Sequence, residues 1–552
     1  GGGGGGGGCE PASSALTPPP QPLPARGRGS LILAFVTALT ATSALAQTPA
    51  PPAPPPNAGP FSIPMSRPTT PGPVEPLPAP KRFVSKHTVT VKGQKIAYTA
   101  IAGETYLYNR AAEPIGSIFA FSYLKDGPAD PKRPVLFVFN GGPGSSSLWL
   151  HMGVVGPRRV VLDQEVNPSN VPPFGVADNP NSLIDVADLV FIDPVGTGWS
   201  KPVGKGTTAD FWGVDEDADT VSQFIELWLT EHRRWNAPKF VMGESYGSVR
   251  AAVLPRALMG GPLYTGVMRG ITLNGVILLG TTLGARNASG EAGAAEMQQA
   301  LALPAKADTA WYHQKIDRKG RTLEAFHQEV LAFAKGDYLA ALTKAKAGAL
   351  TPAERSAVTA RLADYTGLPA STYDKTLTIQ DAAFGRQILG DKGLQVGAYD
   401  SRYTLPLANS GNDPVGDDPA MGRYVPGFVS AFHQMVSDDL KVDMDRPYGA
   451  IVWKDLLPSW NWDRKGVPEG QSFATDLAVA MRRNEKLRVL VASGYYDLTT
   501  HTAPAEYSVE QAKLPTDRLM LRRYASGHML YLGDTAGAFA DDVRTLIRDA
   551  TR

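Results

Sequence analysis

The chain is poor in cysteine, with a single one, Cys9, among its 552 residues. We predict that Cys9 is removed with an N-terminal leader, so that the mature chain has neither a thiol nor a disulfide. Small secreted domains often need disulfides, but a chain of this length can bury a sufficient core without them. The composition therefore excludes a metal site built on cysteine ligands.

An excess of charge of one sign is also absent. The formal net charge is +1, and no block of five or six basic residues occurs. This balance argues against a nucleic acid or an anionic membrane surface as the partner. Hydrophobic residues make up 43% of the chain and charged residues 19%, which is typical of a globular protein.

Long apolar runs are scarce as well. The run from Leu31 to about Leu39 follows two arginines and precedes Ala44-Leu45-Ala46, which is the pattern of a signal peptide with an A-x-A cleavage site. The alternative is a membrane anchor, but a span needs roughly 18 to 20 apolar residues. We expect residues 1–46 to comprise an artefactual glycine-rich start plus a signal peptide. Cleavage after Ala46 would then release a bacterial periplasmic or secreted protein.

The remaining chain divides by composition into four parts. Residues 47–82 are proline-rich and predict a disordered linker. Continuous apolar runs alternate with helical patterns in residues 83–282 and again in 487–552, which predicts a mostly parallel sheet covered by helices on both faces. Alanine-rich helical patterns dominate residues 283–486, which we interpret as a helical insertion over the sheet.

The sequence Gly243-Glu244-Ser245-Tyr246-Gly247 has the form G-x-S-x-G. It follows the strand-like run "KFVM" and precedes a helical pattern, which is the context of a nucleophile elbow. Such a turn exposes the serine at the carboxyl edge of the sheet, so Ser245 is the predicted nucleophile. The alternative is a connection that contains serine but carries no chemistry.

A serine hydroxyl needs a base, and the base needs a group that orients it. His528 in "ASGHMLYLG" follows the last predicted strand and is the candidate base, with His501 as a weaker alternative. Asp497 in "VLVASGYYDLTT" follows the preceding buried strand and is the candidate acid. An aspartate that only caps a turn or helix is the alternative for Asp497, and Asp534 is another candidate acid.

The glycine-rich stretch "FNGGPGSSSLWL" follows the apolar run "PVLFVF". Acyl transfer to a serine requires N–H donors aimed at the developing oxyanion. We assign one donor to the backbone of Tyr246, directly after the nucleophile, and the other to Gly142 in this loop. The serines at 145–147 are then turn and packing residues.

These motifs together resemble the serine carboxypeptidase family of α/β-hydrolases. "NGGPGSSSLW", "DPVGTGWS", "GESYG", "SGYYD" and "GHM" occur between residues 135 and 530. The resemblance implies that Asn140, Gly141 and Glu244 bind the C-terminal carboxylate of a peptide substrate. An asparagine amide can donate to a carboxylate, whereas a glutamate can do so only when it is protonated.

The chain departs from the family pattern at three places, of which the first is "DPVGTGWS", one residue shorter than the usual form. Ser145 replaces a cysteine of the glycine-rich loop, so a loop disulfide is lost. Val154 stands where the family usually has an acidic residue, two positions before "GP", and Arg158 and Arg159 follow. One hypothesis is that an arginine binds the substrate carboxylate in place of the missing acid and shifts the pH optimum toward neutrality.

We therefore expect an exported α/β-hydrolase with a helical insertion that acts as a serine carboxypeptidase. It would release C-terminal amino acids from peptides through a Ser-His-Asp acyl-enzyme mechanism. No metal or cofactor is implied. An esterase or acyltransferase with the same triad is the first alternative, because fold does not fix the substrate. A non-catalytic binding protein on a hydrolase fold is the second.

Overall fold

The computed structural model describes residues 77–263, 265–284 and 293–552. The predicted signal peptide and nearly all of the predicted linker lie outside the described residues. The strands, in chain order, are β1 Arg82–Val91, β2 Gln94–Tyr108, β3 Pro114–Lys125, β4 Val135–Phe139, β5 Arg158–Val161, β6 Gly175–Asp178, β7 Asp188–Asp193, β8 Lys201–Pro202, β9 Lys239–Glu244, β10 Gly260–Gly261, β11 Val267–Met268, β12 Gly275–Leu279, β13 Leu394–Val396, β14 Thr404–Pro406, β15 Arg488–Gly494 and β16 Leu519–Tyr524.

Within the described residues, ten of these strands form one sheet. Its order is β1-β2-β3-β7-β4-β9-β12-β15-β16, and β8 pairs with β3. The pairs from β7 through β4, β9, β12 and β15 to β16 are parallel, and the remaining pairs are antiparallel. The predicted mostly parallel α/β-hydrolase sheet is therefore confirmed.

The central strands show no alternation of buried and exposed residues, because helices cover both faces of the sheet. Every residue of β4, β7, β9 and β12 is buried. Strands buried on both sides read as continuous apolar runs, which is why the sequence predicted them well.

The helices, in chain order, are α1 Leu148–Leu150, α2 Val214–Glu231, α3 Tyr246–Met259, α4 Ala294–Leu301, α5 Leu303–Tyr312, α6 Leu323–Phe333, α7 Leu339–Lys346, α8 Pro352–Thr366, α9 Asp381–Gln387, α10 Pro419–Gln434, α11 Leu456–Ser459, α12 Phe473–Arg483, α13 Thr502–Gln511 and α14 Thr535–Ala550. One hydrophobic core contains the apolar sides of α2, α3 and α12. A second core contains those of α10 and α14. None of the helices in the described part of the chain combines the length and hydrophobicity of a membrane span.

The segment proposed as an insertion is mainly helical. Helices α4 to α9 share a third hydrophobic core of their own, to which Leu498 also belongs. The last helix of the segment, α12, instead packs with α3 in a core that includes sheet strands. The borders at residues 283 and 486 remain a prediction.

Candidate active site

The turn between β9 and α3 holds Ser245 in an unusual backbone conformation. Strand β9 ends at Glu244 and α3 begins at Tyr246. Ser245 has φ of 60° and ψ of −127°, values that non-glycine residues rarely adopt and that cluster at functional sites. Its backbone N–H donates to the carbonyl oxygen of Leu279 on the neighbouring strand at 2.9 Å. Ser245 is thus held half-buried at the carboxyl edge of the sheet.

Asp497 and His528 meet beyond the ends of two adjacent parallel strands, β15 and β16. His528 Nδ1 lies 2.8 Å from Asp497 Oδ2. The other carboxylate oxygen of Asp497 accepts the backbone N–H groups of Thr499 and Thr500 at 2.7 and 2.8 Å. These contacts fix the carboxylate and leave it facing the imidazole.

The pKa of His528 reflects two opposing influences. Burial lowers the pKa, and the adjacent Asp497 raises it, with a net shift above the ordinary value. A stabilised imidazolium is what a base needs after it accepts a proton.

Ser245 and His528 lie at the same edge. Gly280 follows the Leu279 carbonyl that binds the Ser245 backbone, and a Cβ at Gly280 would lie 3.0 Å from Nδ1 of His528. Among the described residues, no hydrogen bond joins the Ser245 hydroxyl to His528. The candidate base His528 and the candidate acid Asp497 are therefore hydrogen-bonded to each other, whereas Ser245 lies near them without a hydrogen bond to the base.

The glycine-rich loop approaches the turn closely enough to supply an oxyanion donor. A side chain at Gly141 would collide with the backbone nitrogen of Tyr246, so only glycine fits there. Gly142 has a φ of 104°, in the region that glycine adopts readily. The first N–H groups of a helix lack intrahelical partners, which leaves that of Tyr246 available. The two assigned donors, at Gly142 and Tyr246, thus belong to adjoining segments.

The three serines of the loop make structural hydrogen bonds. Ser145 Oγ accepts the indole N–H of Trp149 at 2.8 Å. Ser146 Oγ donates to the carbonyl of Ala450 at 3.1 Å, and Ser147 Oγ donates to Asp193 at 2.8 Å. These contacts agree with the interpretation of the three residues as turn and packing groups.

Asn140 and Glu244 carry unused polar atoms next to this turn. Asn140 Oδ1 accepts the backbone N–H of Leu150 at 3.1 Å, which orients the amide. Asn140 Nδ2 and Glu244 Oε2 are buried and have no well-formed hydrogen bond within the part of the chain that the structure describes. Burial raises the pKa of Glu244 to about 7, although His528 opposes the shift. Below about pH 7, Glu244 therefore carries a proton that it can donate.

The arginine hypothesis for carboxylate binding is wrong. Arg158 forms ion pairs with Asp178 at 2.5 Å and with Asp439 at 2.9 Å, and Arg159 is exposed. Neither is among the groups that influence Glu244. The two residues lie on the small β5–β6 hairpin, where consecutive side chains point to opposite faces. Arg158 therefore points toward its acidic partners and Arg159 toward solvent, while Val154 is fully buried in the core.

Three further residues around the site were not predicted from the sequence. Thr500 Oγ1 donates to Asp497 Oδ2 at 2.5 Å and lies 3.0 Å from His528 Nδ1. Arg250 donates to the carbonyl of Asn140, and Tyr531 lies beside Glu244. Only Thr500 had a local signal, since a threonine three residues after an aspartate can pair with it in a turn.

The alternatives considered for base and acid have other contacts. His501 is the residue before α13, and its Nε2 lies 3.5 Å from Asp381. Asp534 is the residue before α14 and lies beside Glu165. The pairing of Asp497 with His528 is thus better supported than either alternative.

Comparison with known proteins finds similarity to one family over part of the chain. A family model described as serine carboxypeptidase matches residues 117–327. This range contains Asn140, Gly142 and Ser245 but neither Asp497 nor His528.

Two relatives carry matching names. The pheromone-processing carboxypeptidase KEX1 of Leptosphaeria maculans is 31% identical over 150 residues, 27% of this chain and 21% of that protein. Serine carboxypeptidase-like 8 of Arabidopsis thaliana is 28% identical over 145 residues, 26% of this chain and 32% of that protein. The aligned segment thus spans less than a third of the relative in either case.

Solved structures resemble the chain only distantly. A proline iminopeptidase from Mycobacterium smegmatis aligns at 13% identity with a TM-score of 0.32, covering 85% of this chain and 99% of that one. A TM-score this low carries no weight, so the fold assignment rests on the observed strand order alone. The sequence matches, by contrast, show that part of the chain is similar to serine carboxypeptidases, the family model over residues 117–327 and the two relatives over about a quarter of the chain.

Proposed function

We propose that the protein is a serine carboxypeptidase that removes C-terminal amino acids from peptides. The observation that carries this proposal is a pair of buried donors next to the turn that holds Ser245, Asn140 Nδ2 and the protonated Glu244 carboxyl, neither of which has a well-formed hydrogen bond among the described residues. An enzyme that cleaves only the last peptide bond must hold a free carboxylate next to the scissile carbonyl. The backbone N–H of Gly141 would complete this group of donors.

The proposed reaction uses Ser245, His528 and Asp497 in fixed roles. Ser245 Oγ attacks the carbonyl carbon of the last peptide bond while His528 Nε2 accepts its proton. Collapse of the tetrahedral intermediate breaks the C–N bond, and the imidazolium gives its proton to the leaving amino group. Water, activated by the same histidine, then hydrolyses the acyl-enzyme. Asp497 holds Nδ1–H in place throughout, supported by the Thr500 hydroxyl.

The oxyanion of each tetrahedral intermediate would be stabilised by backbone donors. The N–H groups of Gly142 and Tyr246 are proposed for this role, because they belong to two segments that touch at Gly141. Removal of one such donor typically costs about 10²- to 10³-fold in kcat. Rigid placement matters because donors already in position need no reorganisation during the reaction.

The proposed setting is outside the cytoplasm of a bacterium, as a periplasmic or secreted enzyme. The signal-peptide pattern of residues 1–46 supports export. The proposed substrates are therefore peptides with a free C-terminus that occur in that compartment.

A substrate set separates the proposal from its alternatives. Hydrolysis of an N-blocked dipeptide should be compared with hydrolysis of the corresponding dipeptide amide and of a p-nitrophenyl ester. A carboxypeptidase prefers the free acid over the amide by a large factor. Equal use of the acid and the amide, or cleavage of the ester alone, would indicate an esterase or acyltransferase. No turnover and no labelling by a fluorophosphonate would indicate a non-catalytic protein.

A further inference from the structure

Tyr531 lies in the loop between β16 and α14, three residues after His528. Its side chain is almost completely buried. The ring packs against the backbone at Gly153, where any side chain would collide with it. Glycine at 153 therefore provides the space that the phenol ring occupies, immediately before Val154.

Three polar side chains lie near one another at this place, because Tyr531 and Asn140 both act on Glu244, and Asn140 also acts on Tyr531. Tyr531 Oη, Glu244 Oε2 and Asn140 Nδ2 are buried, and no well-formed hydrogen bond satisfies them among the described residues. Buried polar atoms normally have partners, because an unsatisfied one destabilises the folded protein. An unsatisfied trio beside a proposed nucleophile marks a place built for a polar ligand.

The electrostatic surroundings of the trio are defined. Glu244 is influenced by His528, Tyr531, Asp497 and Asn140, and Tyr531 by Glu244, Tyr424 and Asn140. Burial and the neighbouring Glu244 raise the pKa of the Tyr531 phenol well above its usual value. Tyr531 is thus neutral and a proton donor at any working pH.

We propose that Tyr531 is a positioning residue that takes the place of the missing second carboxylic acid and holds Glu244 for the substrate carboxylate. This inference rests on the proposed function. Two neighbouring carboxyl groups would share a proton and titrate as a coupled pair. A phenol beside one carboxyl leaves a single ionisation, that of Glu244, to control carboxylate binding.

The phenol also has a definite effect on that ionisation. A phenol hydroxyl that faces a carboxylate stabilises the charged form even without a well-formed hydrogen bond, so Tyr531 lowers the pKa of Glu244 and opposes the effect of burial. Removing only the hydroxyl should therefore raise the pKa of Glu244. The binding-competent protonated form would then persist to higher pH.

Tyr531→Phe tests this directly because it keeps the ring against Gly153. We expect the alkaline limit of kcat/KM for a blocked dipeptide acid to move up by about one pH unit, the size of one hydrogen bond to a charged group. The profile for a p-nitrophenyl ester without a carboxylate should keep its limits. Tyr373→Phe is the matched control, since it removes a buried hydroxyl that pairs with Thr366 in the proposed insertion. An unmoved alkaline limit in Tyr531→Phe, or an equal shift in Tyr373→Phe, would overturn the proposal.

A second measurement does not depend on turnover. The protonated carboxyl stretch of Glu244 can be followed by infrared difference spectroscopy against pH, with Glu244→Gln to identify the band. The band should titrate near pH 7 in the wild type and higher in Tyr531→Phe. If the band titrates at higher pH in Tyr531→Phe but the protein has no carboxypeptidase activity, the pairing of Tyr531 with Glu244 is supported and the proposed function is contradicted. Identical titrations would contradict the pairing, whatever the activity.

Discussion

Arg250 Nη1 donates a hydrogen bond of 2.8 Å to the carbonyl oxygen of Asn140, linking helix α3 to the glycine-rich loop. The same guanidinium pairs with Asp217 of α2 at 2.6 Å, and both side chains are almost fully buried. Asn140 and Ser245 are thus held by one helix, whose N-terminus follows the nucleophile. The position of the loop depends on a buried ion pair.

Removing this arginine should destabilise the protein strongly. Arg250→Ala leaves Asp217 buried without a partner, for which we expect a loss of about 3 to 5 kcal/mol in the free energy of unfolding. Chemical denaturation measures this loss. Arg522→Ala is the control, because its pair with Asp542 is partly exposed and is worth about 0 to 1 kcal/mol.

The double variant Arg250→Met/Asp217→Leu separates stability from loop position. Apolar replacement of both partners should recover most of the stability. Activity on a dipeptide acid should stay low, because the Asn140 carbonyl has lost its donor. Full recovery of activity would show that Arg250 has no part in positioning the loop.

The identity of the nucleophile gives the second prediction. Ser245→Ala should abolish both turnover and fluorophosphonate labelling while the protein stays folded by circular dichroism. Ser146→Ala, which removes a hydroxyl bonded to the Ala450 carbonyl, should keep both. Labelling that survives in Ser245→Ala would place the nucleophile elsewhere.

The third prediction concerns the group that orients the base. Asp497→Asn should lower kcat by roughly 10⁴-fold, because an asparagine favours the wrong imidazole tautomer. Asp534→Asn, at the start of α14, should stay close to the wild type. Thr500→Val should have a smaller effect than Asp497→Asn, since two backbone N–H groups still hold the carboxylate. Steady-state kinetics on one substrate measures kcat for all three variants. Near-normal turnover by Asp497→Asn would show that another acid orients His528.

The pH dependence of specificity is the fourth prediction. The pKa of Glu244 is raised to about 7 by burial, so its donating form is lost as pH rises through that value. The ratio of kcat/KM for a dipeptide acid to that for an ester should therefore fall tenfold per pH unit above about pH 7. Taking the ratio cancels the titration of His528, which both substrates share. In Glu244→Gln the ratio should not vary with pH, because an amide donates at every pH. A constant ratio in the wild type from about pH 5 to 9 would contradict the role of Glu244.

Local patterns account for what could be predicted from the sequence. Strands β4, β9 and β12 are buried on both faces, and their apolar runs show this without a partner being known. The turn at Ser245 was visible because strand, G-x-S-x-G and helix are adjacent in the chain. The pairing of Asp497 with His528 could be predicted because each residue directly follows a strand, and neighbouring parallel strands bring their ends together.

Long-range contacts account for what could not be predicted. Tyr531 reaches Glu244 across the fold, and nothing in "HMLYLG" distinguishes its phenol from an ordinary core tyrosine. The sequence around Arg250 predicts only a helix, because the partners of its side chain lie in α2 and in the glycine-rich loop. Helix α12 was assigned to the proposed insertion because an amphipathic pattern does not say what its apolar side contacts.

The parallel pairing of β12 with β15 has a consequence for how the protein is made. Ser245 precedes this junction, whereas Asp497 and His528 follow it, so about 280 residues separate the proposed nucleophile from its base. At a synthesis rate of roughly 5 to 20 residues per second, the last group leaves the ribosome some 15 to 60 s after the first. During that interval the growing chain contains a serine without a base and, by the proposed mechanism, is not a peptidase. The order of the strands in the chain therefore delays activity until the final strand has been added to the sheet.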